Sequence, residues 1–263
     1  MVRIPPQSNV PINPQHQRLP HEVNPTLKNM IPQLFDIVKA SLNREAGAML
    51  HEVDKDFKKR FASDPAAAKK AVEQISLRAA KEGELSILEW AFERHIKFTG
   101  SHISAAASSG NLEVVKWLRV HGAPIGHYGL CKRAVESGNL EVVQWAINSG
   151  APFELYEIYY TTTAAGHVPV LEWLRKNETE LLKKTKKHQK ADNFPQQILW
   201  AAVEYGQIGV LEWAKHNPDF TDEIWKEENS TLEEEAIRYK QADTLKWLVN
   251  RKASFSDDQE INA

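Results

Sequence analysis

The sequence predicts an all-α fold, a solenoid of stacked helical hairpins. Three observations carry that prediction. First, one twelve-residue signature recurs six times in order: AAKEGELSILEW (79–90), AASSGNLEVVKW (106–117), AVESGNLEVVQW (134–145), TTAAGHVPVLEW (162–173), AVEYGQIGVLEW (202–213) and AIRYKQADTLKW (236–247). Second, each copy carries an apolar stripe at helical spacing on either side of a glycine, which marks helix, turn, helix. Third, the signature tryptophans Trp90, Trp117, Trp145, Trp173, Trp213 and Trp247 lie 27, 28, 28, 40 and 34 residues apart. A short period of this kind is the mark of a repeat architecture.

Taken in order, residues 1–24 hold Pro5, Pro6, Pro11, Pro14 and Pro20 among polar side chains. So little apolar surface does not offset ordering entropy, and a disordered proline-rich tail is expected. Residues 25–63 read as a helical cap. Pro32 suits a first helical turn, and Phe35, Val38, Leu42, Ala46, Met49, Val53, Phe57 and Phe61 then recur three or four apart. Such a stripe needs covering, either by the first repeat or by a second copy in a homodimer.

Asp64 and Pro65 form an N-cap and first-turn signature that opens a repeat domain over 64–250. Numbered from the turn glycine, position −8 reads Ile75, His102, Leu130, Ile158, Ile198 and Leu232. Position −4 reads Ala79, Ala106, Ala134, Thr162, Ala202 and Ala236. These columns predict a first helix with one apolar face and a small residue where backbones approach. After the turn, pairs such as Val114–Val115 and Val142–Val143, followed by the tryptophan, predict a second helix. The tryptophan column reads as core between repeats. Lys240 stands where the other copies have glycine, as in an atypical end repeat.

The long fourth interval places an insertion at 176–196, which carries KKTKKHQK over Lys183–Lys190. The fifth contains much of DEIWKEENSTLEEE (222–235), in which Ser230 and Glu233 fit a capping box. An exposed pairing between the two charged segments is plausible on charge alone and weak. Residues 251–263 are polar and read as a flexible C-terminal tail.

The totals narrow the function. The chain has 263 residues, a 42% hydrophobic fraction, a formal charge of −2 and one cysteine, Cys131. A charge so near zero gives no global attraction to nucleic acid or an anionic membrane. A lone cysteine makes no internal disulfide, no stretch is long and apolar enough to span a bilayer, and the N-terminus lacks a signal-peptide run. A cytoplasmic protein is expected, with the nucleus compatible.

The runs AASSGNLEVVKWLRVHGA (106–123) and AVESGNLEVVQWAINSGA (134–151) resemble the ankyrin repeat, over about residues 75–250. The TPLH opening of an ordinary unit is absent and the period is short. The chain is thus more similar to a shortened, tryptophan-containing subclass, in which the projecting β-finger is reduced or missing. The resemblance implies a protein-binding module or adaptor, working through the concave face and loops. Its concave positions would be −5, −2 and −1 of each first helix, which here include Arg133, Glu136, Glu204 and Tyr205. Position −6 adds Tyr160 and Trp200, and the loops add His127, Tyr128 and Tyr156. Exposed aromatics there would act as interface anchors, with burial of Tyr160 and Trp200 between repeats an equal alternative.

Catalytic and cofactor signatures are missing: the glycines lack a Gly-Lys-Ser/Thr phosphate loop, and no Gly-x-Ser-x-Gly or His-Glu-x-x-His occurs. The reading is non-catalytic, without cofactor or metal. His127 and Cys131 are two ligands where structural zinc takes four. Two alternatives stand beside it: a nucleic-acid-associated protein using the Lys183–Lys190 insert, and an oligomeric scaffold using the N-terminal helix.

Overall fold

A computed structural model of the protein describes residues 64–126, 129–185 and 194–261, with single positions at 33, 36 and 59. The chain divides into two compact units, Met1–Ala71 and Val72–Ala263. The tail expected at 1–24 lies outside the described residues, as does the cap expected at 25–63 apart from those three positions. At the end of the first unit the Asp64 carboxylate accepts a 2.9 Å hydrogen bond from the Ala67 N–H, and Pro65 opens the first described helix. The expected N-cap and first-turn residues therefore occupy those places.

The second unit is built from hairpins. Their first and second helices are α1 (Pro65–Glu82) and α2 (Leu85–Glu93), α3 (Gly100–Ser108) and α4 (Leu112–Val120), then α5 (Gly129–Ser137) and α6 (Leu140–Asn148). After α7 (Leu155–Ala164) and α8 (Val168–Lys176) comes an inserted helix, α9 (Glu178–Lys184). The last two pairs are α10 (Phe194–Glu204) with α11 (Ile208–Lys215), and α12 (Asp222–Arg238) with α13 (Ala242–Ile261). All thirteen described elements are helices, and no strand occurs among the described residues.

The helices pack in two rows. First helices α3, α5, α7, α10 and α12 lie side by side in chain order, and second helices α4, α6, α8 and α11 do the same. The −4 column explains the close approach of the first row, since Ala79, Ala106, Ala134, Thr162 and Ala202 are completely buried. Between the rows lie Ile87, Leu88, Val114, Val115, Val142, Val143, Val170, Leu171, Val210 and Leu211, none more than 1% exposed. Each such side chain contributes about 1.5–3 kcal/mol on burial, so these pairs are the main apolar store of every hairpin.

Five of the six hairpin turns close in the same way, while at the third the Asn139 N–H donates to Ser137 Oγ at 3.2 Å. The residue before the second helix sends its N–H back to the carbonyl of position −4: Glu84 to Ala79 at 2.9 Å, Asn111 to Ala106 at 3.3 Å, Gln207 to Ala202 at 2.7 Å and Gln241 to Ala236 at 2.8 Å. This six-to-one bond requires a left-handed residue inside it. Gly83, Gly110, Gly138, Gly166 and Gly206 supply it at φ from 68° to 79°.

The side chain after the glycine then reaches the preceding hairpin. Asn139 Nδ2 donates to the Gly110 carbonyl at 2.9 Å, and His167 Nε2 donates to the Glu136 carbonyl at 3.1 Å. Gln207 Nε2 donates to Ala164 at 2.7 Å and Gln241 Nε2 to Glu204 at 3.0 Å. The last three are carbonyls at the end of a first helix, where no intrahelical donor exists, and the Gly110 carbonyl belongs to the turn itself. The same side chains lie across the glycine: a Cβ on Gly83 would come within 2.5 Å of Asn111 Nδ2, and one on Gly138 within 2.5 Å of His167 Cε1. Asn139 works on both sides, because its Oδ1 also accepts from Val142 N–H at 3.2 Å and caps α6. Lys240 holds the left-handed turn at φ 58° in the last hairpin. No further hairpin follows it among the described residues.

A buried histidine joins α1 to α3. The Thr99 N–H donates to His102 Nδ1 at 3.2 Å, so Nε2 carries the proton and donates to Ser76 Oγ at 3.0 Å. Ser76 in turn donates to the Glu73 carbonyl at 2.9 Å. Burial pushes the His102 pKa down, against a smaller upward pull from the backbone at Glu73. Further along, the Arg175 guanidinium forks between Glu178 and Asp219, donating to Asp219 Oδ2 from Nε at 3.0 Å and Nη2 at 2.7 Å.

Three expectations are corrected. The helix of the last hairpin starts at Asp222 with Thr221 as N-cap, not at a capping box on Ser230, because Trp225, Asn229, Leu232 and Ala236 form one buried stripe. The backbone stays helical to Ile261, past the tail expected from 251. The tryptophan column is only partly core: Trp90 is 2% exposed, whereas Trp117, Trp145, Trp173, Trp213 and Trp247 are half-buried. Their rings lean on residues near the hairpin ends, as where Trp117 stacks on His121 at 3.7 Å and meets Phe98 edge-on at 5.4 Å.

Two outcomes follow for stability. Gly138→Ala should cost on the order of 2–4 kcal/mol in urea unfolding, combining left-handed strain with the loss of the His167 bond. Gly122→Ala, with φ 91° but open space around its Cα, should cost only the strain, about 1–2 kcal/mol. Second, His102 is a base whose folded pKa lies below its unfolded value of about 6.5. The unfolded chain therefore binds more protons in that window, and stability should be fully present above about pH 6.5 and fall as pH drops through it. Denaturation midpoints between pH 7.5 and about 5 should show this loss, and His102→Gln should flatten it.

Candidate functional site

Helix periodicity places residues three, four and seven apart on one stripe. In the row of first helices that stripe is −9, −6, −5 and −2 from the turn. The three first hairpins supply Gln74, Leu77, Arg78 and Lys81; Ser101, Ser104, Ala105 and Ser108; Gly129, Lys132 and Arg133. Together they line an open groove of about 790 Å³ across α1, α3 and α5. Its middle is low, since Ala105 and Gly129 have little or no side chain. Ser104 is 8% exposed and its Oγ has no hydrogen-bond partner among the described residues.

Cations flank that floor, and their ion partners sit outside the lining: Arg78 with Glu82 at 2.7 Å, Arg133 with Glu136 at 2.8 Å, Lys132 with Glu157 at 2.9 Å. Exposed pairs of this kind contribute about 0.2–1 kcal/mol each and do not fix the side chains firmly.

The later hairpins carry aromatics and acids on the same stripe. Tyr160 Oη donates to Glu204 Oε2 at 3.0 Å, which leaves the Tyr205 hydroxyl to donate to Tyr160 at 3.0 Å. Their rings meet edge-on at 5.8 Å, and Tyr156 stacks on Tyr160 at 6.3 Å. Desolvation, then the bonds to Tyr205 and Glu204, holds the Tyr160 pKa above the ordinary phenol range. Trp200, 44% exposed, donates from Nε1 to Glu228 Oε2 at 2.8 Å.

The nine residues singled out in the sequence thus divide. Tyr156, Tyr160, Glu204 and Tyr205 form one cluster. Arg133 and Glu136 form an ion pair on α5, with Arg133 on the groove, and Trp200 stands exposed on α10. His127 and Tyr128 lie outside the described residues. Sequence reasoning missed Ser101, Ser104 and Lys132, because position −9 was not considered and position −6 was read only for its aromatics, Tyr160 and Trp200. The three-and-four spacing from −2 already contained the correct set.

Other candidates have ordinary roles. In the basic insert, Lys183 pairs with Glu180 at 2.7 Å and Lys184 donates to Asn148 Oδ1 at 3.0 Å, while Lys186–Lys190 lies outside the described residues. Neither described lysine pairs with the acidic 222–235 segment. Cys131 is 1% exposed, and burial pushes its thiol up to about 12, far from thiolate reactivity. Among the described residues no group of three or more His, Cys, Asp or Glu is placed to hold a metal, and no helix is long and apolar enough to cross a membrane.

In comparisons with known proteins, no family model and no curated protein matches this sequence.

Proposed function

We propose that the protein is a non-catalytic, ankyrin-like solenoid that binds a partner protein through the exposed stripe of its first helices and adjoining loops, as an adaptor in the cytoplasm or nucleus. The observation that carries this reading is a contrast between columns. Positions that build the fold stay alike from hairpin to hairpin: small at −4, left-handed at the turn, aliphatic pairs in the second helix. Positions on the stripe change in charge and size, from Arg78 and Lys81 through Ser104 and Ala105 to Tyr160, Trp200 and Glu204. Packing accounts for the first set and leaves the second to recognition.

Stacked hairpins suit recognition because local packing holds a long surface rigid before the partner arrives, so little entropy is lost on binding. The tyrosine cluster adds large amphipathic rings with few rotatable bonds, the side chains enriched at interface hot spots.

Affinity capture from cell extract with the intact chain, beside a variant altered together at Arg133, Glu136, Tyr160, Glu204 and Tyr205, tests the reading. The variant's helical circular dichroism should match the original while specific partners are lost. Retention of the same partners would contradict it.

A further inference from the structure

The stripe is electrically divided. Its first three hairpins carry Arg78, Lys81, Lys132 and Arg133 against the single acid Glu136. Its last three carry Glu157, Glu204, Glu234 and Glu235 against the single cation Arg238. The groove lies in the basic half, and no acidic residue lines it.

Three features of this groove point to the same ligand chemistry. Cations stand on both sides of a floor whose small residues let a backbone approach closely. The buried Ser104 hydroxyl lacks a partner among the described residues, and a buried polar atom without one is costly unless a ligand supplies it. Three neighbouring helices, each about 8–10 Å from the next, span roughly 20 Å, which an extended chain covers in about six residues. Resting on the protein-binding reading above, we infer that the groove over α1, α3 and α5 binds a short, extended, acidic peptide segment of the partner. Its carboxylates lie over Arg78, Lys81, Lys132 and Arg133, and one of its oxygens accepts from Ser104 Oγ.

The charge division favours an acidic peptide over a nucleic acid. A phosphate backbone repeats its charge without end and needs a continuous basic track. Here the track stops at α7, where Glu157 begins the acidic half, so a ligand crossing that boundary must lose its negative charge. A peptide does this by a change of residue. The existing ion pairs do not block the site, because exposed pairs exchange one carboxylate for another at little cost.

Fluorescence anisotropy with the full chain tests the inference, using a fluorescein-labelled heptapeptide of alternating Glu and Ser, its Gln counterpart and a seven-nucleotide oligothymidylate. The Glu peptide should bind saturably, at least tenfold more tightly than the Gln peptide, and more weakly as salt rises. The Lys81→Glu/Lys132→Glu variant should lose at least tenfold and Ser104→Ala about threefold, each with unchanged circular dichroism. Lys215→Glu, on the exposed side of α11, should change nothing.

Absence of saturable binding, equal binding of the Gln peptide, an equal loss in Lys215→Glu, or tighter binding of the oligothymidylate would each overturn it. Should the Glu peptide fail while captured partners still depend on the five altered positions, the acidic-ligand inference alone falls. Should neither depend on the stripe, the protein-binding reading falls with it.

Discussion

In the last four hairpins one polar side chain, placed immediately after the turn, holds the row of first helices in register. His167, Gln207 and Gln241 each donate to a carbonyl that ends the previous first helix and has no intrahelical donor, and Asn139 donates to the carbonyl of the turn glycine Gly110. Apolar burial between the rows supplies more free energy, but it is non-directional and tolerates sliding. The hydrogen bond is directional, so it sets where one hairpin stops against the next. It also explains the glycines twice over: the turn needs a left-handed residue, and the space above its Cα belongs to the next hairpin. Lys240 keeps the left-handed conformation without a glycine at the last hairpin turn among the described residues.

With the joint and the core assigned to fixed columns, the outward stripe carries little of the fold. That separation lets one architecture present a basic, hydroxyl-floored groove at α1, α3 and α5 and a tyrosine cluster with acids at α7 and α10. The residues of the cluster still interact with one another, through Tyr205, Tyr160 and Glu204 in a single hydrogen-bonded line. Their hydroxyls are therefore oriented before any partner meets them, while the aromatic faces of Tyr156 and Tyr205 remain in solvent.

Much of the architecture was legible because it repeats. The −4 alanines, the aliphatic pairs and the turn glycines gave the helical hairpins directly, and the long fourth interval located α9 and the segment after it. The polar residue after each turn position was also visible as a column of Glu84, Asn111, Asn139, His167, Gln207 and Gln241. Its role was not, since a single chain shows that a position is polar without showing where its donor goes. The tryptophans misled for a related reason: recurrence beside apolar residues resembles core, yet half of such a ring suffices to cover a hairpin end. At Ser230 a short local motif competed with the longer stripe of Trp225, Asn229, Leu232 and Ala236, and burial decided for the stripe. The exposed groove was the least legible part, because surface columns follow no composition rule and only helix geometry selects them.

The most direct test of the joint is amide hydrogen exchange on the intact chain and on His167→Ala. If this side chain holds its hairpin to the previous one, exchange should quicken at the end of α5 and the start of α8, while α2 and α11 keep their protection. Unchanged protection at that joint, or an equal loss of protection across all the helices, would contradict the account.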